Sequence, residues 1–192
     1  MSKSQLRMTS GTSEYDRQKD DYYATHPIAI QQLMFHEIFN EDIWEPACGE
    51  GHISKELIKE GYNVFSSDII NRGFGIEIDF LKSKEKIKEF KGDIITNPPY
   101  KLAQPFIETA LDLVQEGNKV IMFLRLQFLE GKSRKKFFQE NPPHTIYVSS
   151  SRILCALNGD FENYEKSSSV TAYAWFVWVK GHKGDTTIKW FN

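Results

Sequence analysis

The residues best suited to do chemistry lie in two short stretches, Asn97-Pro98-Pro99-Tyr100 and Glu45-Pro46-Ala47-Cys48-Gly49-Glu50-Gly51. A nitrogen whose lone pair is delocalised into a ring or an amide is a poor nucleophile. Two acceptors aimed at its two N–H bonds draw it toward tetrahedral geometry and free the pair. Asn97 Oδ1 and the Pro98 carbonyl can be those acceptors. Proline fixes its own φ and confines the residue before it to extended conformations, so both groups are held rigid. Tyr100 supplies an aromatic face on which a planar group can stack. The same residues are common in ordinary strand-to-helix turns, where they do nothing of the kind. Their place after a strand in an alternating α/β pattern favours the chemical reading.

The second stretch is less specific. Glycines directly after a strand let the backbone pass close to a ligand, and the following helix presents free N–H groups. The next strand ends in an acid, Asp68, roughly 20 residues further on, where a ribose diol would sit. On its own this pattern fits several nucleotide cofactors. Cys48 beside the turn reads as a small buried thiol rather than a reactive one.

Strands alternating with helices must position these groups. A helix is expected to open at Thr25-His26-Pro27, with Thr25 as its cap, and to carry Ile28, Leu33, Met34, Ile38 and Phe39 at helical spacing. A strand over 43–47 runs into the glycine turn, a helix covers 52–60, and a strand over 64–69 carries Asp68. The Gly-rich link 71–75 leads to a brief strand ending at Asp79-Phe80, and the Lys-rich stretch 82–91 reads as a solvated helix. A strand over 93–96 ends at Asn97. Leu102, Phe106, Ile107, Ala110, Leu111 and Val114 mark the next helix. The apolar run 120–128 suits a central buried strand. A basic helix over 132–140 follows, with strands over 145–149 and 171–179 and a polar loop, 152–169, between them. Tyr173, Trp175, Phe176 and Trp178 read as core. The fold class is therefore α/β, Rossmann-like: a mostly parallel sheet covered by helices on both faces, with an antiparallel edge hairpin. In such sheets the ligand lies beyond the carboxyl ends of the strands.

Composition narrows the classes. A chain of 192 residues with 40% hydrophobic and 26% charged residues has the make-up of a globular domain. Residues 1–20 read as a flexible tail and 21–192 as one domain. No apolar run is long enough to span a membrane and the N-terminus lacks a secretory core, so a cytoplasmic location is expected. Two cysteines make no disulfide framework, and the scattered histidines give no metal spacing. The net charge of −2 means that any nucleic-acid site is a local patch. Lys132, Arg134, Lys135 and Lys136 are the candidate phosphate contacts, a solvated helix face being the alternative.

With these residues in view, the chain resembles the gamma-type N6-adenine DNA methyltransferases, whose cofactor motif reads E-P-A-C-G-x-G and whose catalytic motif reads N-P-P-Y. The resemblance runs from about Tyr22 to Phe138 with the motifs in the family's order. The whole is also similar to small phage- or prophage-encoded methyltransferases. The resemblance implies S-adenosyl-L-methionine as cofactor. The segment Tyr22-Tyr23-Ala24-Thr25-His26-Pro27 resembles the upstream cofactor motif, which brings in Tyr23, Thr25 and Pro27 at the methionine carboxylate. Glu45, Pro46, Ala47, Cys48, Gly49 and Gly51 would hold the methionine part, and Asp68 with Ile69 the ribose. Asp79 would take the adenine amino group and Phe80 pack on its ring. Asn97, Pro98, Pro99 and Tyr100 would hold the substrate nitrogen in line with the methyl group. The implied activity is methylation of adenine N6 in DNA. The same motif suits an RNA adenine or a protein glutamine amide, and a cofactor-binding scaffold without activity is the third possibility. Restriction-type members carry a large target-recognition domain for which this chain has no room. Specificity is thus expected from the 152–169 loop or from a separate partner, with the chain a monomer or a weak dimer.

Overall fold

The computed structural model describes residues 23–151, 153, 155–157, 161 and 171–191. The expected tail, residues 1–20, and most of the 152–169 loop lie outside them. The elements are β1 (Tyr23–Thr25), α1 (Pro27–Met34), β2 (Asp42–Glu45), α2 (His52–Lys59), β3 (Asn63–Asp68), β4 (Ile76–Glu77), β5 (Asp93–Thr96), α3 (Ala103–Leu113), β6 (Lys119–Arg125), α4 (Lys135–Glu140), β7 (Thr145–Val148), β8 (Cys155–Leu157), β9 (Tyr173–Val179) and β10 (Thr187–Trp190). Eight strands form one sheet in the order β10-β7-β9-β6-β5-β2-β3-β4, and β1 pairs with β8 in a separate two-stranded ribbon. In the large sheet β9 alone runs against its neighbours, β6 and β7, while β10 lies parallel to β7 outside it.

The apolar runs of β6 and β9 are buried on both faces, which is why they lack a polar–apolar alternation. Successive side chains point to opposite faces, so each strand feeds two cores. Val120, Met122, Leu124, Phe176 and Trp178 join Phe106, Ile107 and Ala110 of α3 and Phe137 of α4. Ile121, Phe123, Trp175 and Val177 join Ala29, Ile30 and Leu33 of α1 and Ile53 and Leu57 of α2. The indole N–H groups of Trp175 and Trp178 donate to the Ala29 and Asn141 carbonyls, both at 3.0 Å, so the large rings bury no unpaired donor. Among the described residues no helix is long and apolar enough to cross a membrane.

Several expected elements change where tertiary contacts outweigh local pattern. Thr25 ends β1, and His26 caps α1 instead, its Nδ1 accepting from Ile28 N–H at 3.2 Å. No strand reaches Asp79-Phe80; β4 stops at Glu77 and a 3₁₀ turn, Phe80–Glu85, follows. The Lys-rich stretch is not one helix, because Phe90 N–H donates to the Leu113 carbonyl at 2.7 Å and Phe90 packs on the core beside α3. Strand β6 ends at Arg125 because its partner β9 begins at Tyr173, directly opposite. A 3₁₀ turn, Leu126–Leu129, takes the next residues, and the basic helix divides into the 3₁₀ turn Lys132–Arg134 and the short α4.

Candidate active site

The parallel register brings the last residues of β2, β3, β5 and β6, namely Glu45, Asp68, Thr96 and Arg125, to one edge of the sheet. The glycine turn, Asp68 and the segment Asn97–Tyr100 lie at or just beyond this edge.

The glycine turn is fixed from three sides. Cys48 N–H donates to the Ser67 carbonyl (2.9 Å), Gly51 N–H to the Cys48 carbonyl (2.7 Å), and Gly49 N–H to Asp68 Oδ2 (2.9 Å). Asp68 Oδ1 takes Ile70 N–H at 3.0 Å, so the acid buttresses the turn as well as facing its mouth. Ile69 beside it is exposed. Gly51 precedes α2 with φ +80°, and a Cβ there would lie 2.4 Å from the Phe74 ring. Gly61 has φ +96° and nothing near its missing Cβ. Gly51→Ala is therefore expected to cost about 1–3 kcal/mol for the left-handed backbone, plus the displacement of Phe74, whereas Gly61→Ala carries the first cost only. Thermal unfolding of the two variants checks this: equal losses would show that Phe74 gives way freely.

Glu45 is 1% exposed. Its Oε2 accepts from Ser54 N–H (2.9 Å) and from the Ser54 hydroxyl, so the carboxyl group caps the first turn of α2 from across the turn. Burial pushes its pKa up to about 8; the two Ser54 bonds oppose the shift and the Asp68 charge adds to it. At neutral pH the group is held mainly as the neutral acid. Cys48 is buried too, and burial with the charges of Glu45 and Asp68 pushes its thiol up to about 12, leaving little thiolate.

Asp79 lies two residues beyond β4, which pairs with β3 so that this segment runs past Asp68; Ile78 N–H donates to the Asp68 carbonyl at 2.8 Å. A hydrogen bond from Lys82, 2.8 Å away, holds the Asp79 carboxyl below its usual range. Phe80 departs from expectation. It is 2% exposed, edge-on to Trp44 at 5.1 Å and against Phe106 at 5.0 Å, so its ring serves the core rather than presenting a face to a ligand.

Asn97 follows β5. Its Nδ2 donates to the Tyr23 carbonyl at 2.9 Å, which sets the orientation of the amide. Its Oδ1 is buried and has no hydrogen-bond partner among the described residues, and the same holds for the Thr25 hydroxyl. Pro98 is buried and Pro99 exposed. The turn's own bond, Leu102 N–H to the Pro99 carbonyl at 2.8 Å, is made one residue beyond the Pro98 carbonyl. Tyr100 is pinned by its hydroxyl on Cys155 Sγ (3.5 Å), with Tyr173 and Tyr23 at ring distances of 5.8 and 6.1 Å. Its ring face is not open: the Arg125 guanidinium lies over it, 4.6 Å from the centroid.

The ribbon β1–β8 explains how the segment before α1 reaches the site, for Thr25 stands opposite Cys155. Pro27 sits in the first turn of α1. From the 152–169 loop, Phe161 packs edge-on against both His26 (5.0 Å) and His52 (5.4 Å) at the starts of α1 and α2. Sequence reasoning left out Arg125, Cys155 and Tyr173 as site residues. Apolar Ile153 and Cys155-Ala156-Leu157 inside a polar loop, and an arginine interrupting an apolar run, were the available signals. The basic cluster divides. Arg134 is spent on the turn before it: Nε donates to the Phe128 carbonyl (2.8 Å), Nη2 to that of Glu130, and the guanidinium stacks on Phe128 (5.0 Å). Its guanidinium is thus held by its own turn rather than free on a helix face. Lys132, Lys135 and Lys136 are exposed, and Lys136 also pairs with Glu140 at 3.6 Å.

Solved structures share this architecture. A predicted O-methyltransferase from Agrobacterium tumefaciens is 13% identical with a TM-score of 0.60, over 86% of this chain and 85% of that one. A protein assigned as the modification subunit of a type I restriction enzyme from Vibrio vulnificus is 14% identical with a TM-score of 0.59, over 88% of this chain and 46% of that one. A third, assigned as a class I S-adenosylmethionine-dependent methyltransferase from Listeria monocytogenes, is 13% identical with a TM-score of 0.56, over 86% of this chain and 64% of that one. The fold is the one these proteins share. This chain spans about half the length of the second and under two thirds of the third. No family model and no curated protein matches the sequence.

Proposed function

We propose that the chain is an S-adenosyl-L-methionine-dependent methyltransferase acting on adenine N6 in DNA, of the gamma type its motifs resemble. One observation carries the reading. Asn97, at the carboxyl edge of β5, has its amide nitrogen tied to the Tyr23 carbonyl and its buried oxygen left without a partner. Buried polar atoms are nearly always paired, so an orphaned acceptor set rigidly beside the glycine turn is ready for an external N–H donor. The residues present fit the cofactor: Gly49 keeps a side chain off the turn, the Thr25 hydroxyl is likewise unpaired, and Asp68 and Asp79 stand at adjacent strand ends.

The cofactor, when bound, supplies an activated methyl group on a sulfonium. Asn97 Oδ1 and the Pro98 carbonyl would accept the two N–H bonds of the target amine and direct its lone pair outward. Glu45 would compensate positive charge near the glycine turn, giving up its proton to do so. Asp68 would accept from ribose hydroxyls through its remaining lone pairs. Catalysis on this reading is placement in a site prepared in advance. A base in a duplex must be flipped out to reach Asn97, or the substrate is single-stranded.

The test is transfer of labelled methyl from S-adenosylmethionine to double-stranded DNA, single-stranded DNA, RNA and a cell protein extract in parallel. Label recovered as N6-methyladenine in DNA is expected. Label only in RNA or in glutamine amides would keep the chemistry and overturn the substrate. Measurable cofactor binding with no transfer to any of the four would overturn the enzymatic reading.

A further inference from the structure

We propose that Arg125 is a substrate-binding residue, a placeholder that covers the Tyr100 face until a target base takes it and then engages the phosphate beside that base. The inference rests on the nucleic-acid reading above and adds a residue to it.

Strand β6 is apolar and buried from Val120 to Leu124, and its last residue is an exposed arginine. In the free chain its guanidinium covers the Tyr100 ring and bonds the Tyr173 side chain. Among the described residues no carboxylate pairs with Arg125, although five other ion pairs are formed. Its guanidinium lies 4.6 Å from the centroid of Tyr100, the last residue of the Asn97-Pro98-Pro99-Tyr100 motif. Tyr100 is itself held in place, its hydroxyl on Cys155 and its ring between tilted contacts with Tyr23 and Tyr173. A base stacking on this ring from the Arg125 side therefore has to displace the guanidinium. A planar, delocalised, weakly hydrated cation is a fair substitute for a base on an aromatic face, and it forms bidentate bonds to phosphate when released. Arg134 is committed to backbone carbonyls, whereas the Arg125 guanidinium is held by aromatic side chains, the Tyr100 ring and the Tyr173 hydroxyl.

The experiment measures binding of a fluorescent single-stranded, adenine-containing oligonucleotide by anisotropy across salt concentrations, for the wild type, Arg125→Ala and Arg125→Lys. Methyl transfer and cofactor binding are followed on the same proteins. Arg125→Ala is expected to weaken oligonucleotide binding about tenfold and to lower the slope of log affinity against log salt by roughly 0.7, the value of one single-strand phosphate. Its KM should rise more than its kcat falls, with cofactor affinity unchanged. Arg125→Lys should restore the salt slope. An unchanged slope in Arg125→Ala, with wild-type binding intact, would overturn the proposal and leave Arg125 a clamp on Tyr100. A wild type that binds no oligonucleotide but methylates protein would overturn the nucleic-acid reading, and this proposal with it.

Discussion

Asn97→Ala is expected to lower kcat for methyl transfer by at least about 10²–10³, the loss typical when one preorganised group aimed at the reacting atoms is removed. Cofactor affinity should change far less. The substitution also breaks the bond from Nδ2 to the Tyr23 carbonyl, which costs about 0.5–1.5 kcal/mol and does not unfold a domain of ordinary stability. Asn97→Asp separates the two roles of the amide. It keeps an oxygen in place of Oδ1 but sets a carboxylate oxygen against the Tyr23 carbonyl, where the wild type has a donor. The group would then turn or repel β1, so the aspartate variant should be nearly as inactive as the alanine one. Single-turnover kinetics with saturating cofactor, alongside thermal unfolding, would measure both effects. Turnover of Asn97→Ala at the wild-type rate would end the catalytic assignment.

The second large effect concerns Glu45, for which stability and function pull in opposite directions. Its folded-state pKa is raised from 4.5 to about 8 by burial, so the folded chain prefers the protonated acid. Below pH 4.5 both folded and unfolded forms are protonated and the group costs nothing. Between 4.5 and about 8 the unfolded form ionises alone and stability is lost; above 8 the loss is complete and constant. With each pKa unit worth about 1.4 kcal/mol, the total is of the order of 5 kcal/mol. Gln is the isostere of the neutral acid and can still accept both Ser54 bonds. Glu45→Gln should therefore match the wild type at pH 4.5 and exceed it increasingly up to pH 8, as denaturant unfolding at a series of pH values would show. A stability difference that does not vary with pH would refute this account. The same variant should bind the cationic cofactor more weakly. Wild-type affinity should rise with pH over the window in which Glu45 gives up its proton, while the variant's stays flat. A buried acid that weakens the free fold and strengthens a cationic complex fits a site kept for function.

Much of this architecture was legible in the chain itself. The alternation of apolar strands with amphipathic helices, the continuous burial of β6 and β9, and the glycine turn with an acid one strand later follow from local periodicity and backbone chemistry. Prolines after Asn97 announce a rigid turn wherever they occur. The read core of Tyr173, Trp175, Phe176 and Trp178 is buried as expected. What the sequence could not show is which distant segments meet. The ribbon of β1 with β8 joins residues more than 100 positions apart, and three residues, Tyr23–Thr25, are too few to show a strand's alternation. The exposed β10 depends on the free edge of β7 for its backbone bonds. The conversion of Phe80 from ligand contact to core, the commitment of Arg134 to its own turn and the placing of Arg125 over Tyr100 are likewise tertiary outcomes. Residue type states what a side chain can do. Only the packing of strand ends against one another decides which of its possible partners it reaches first.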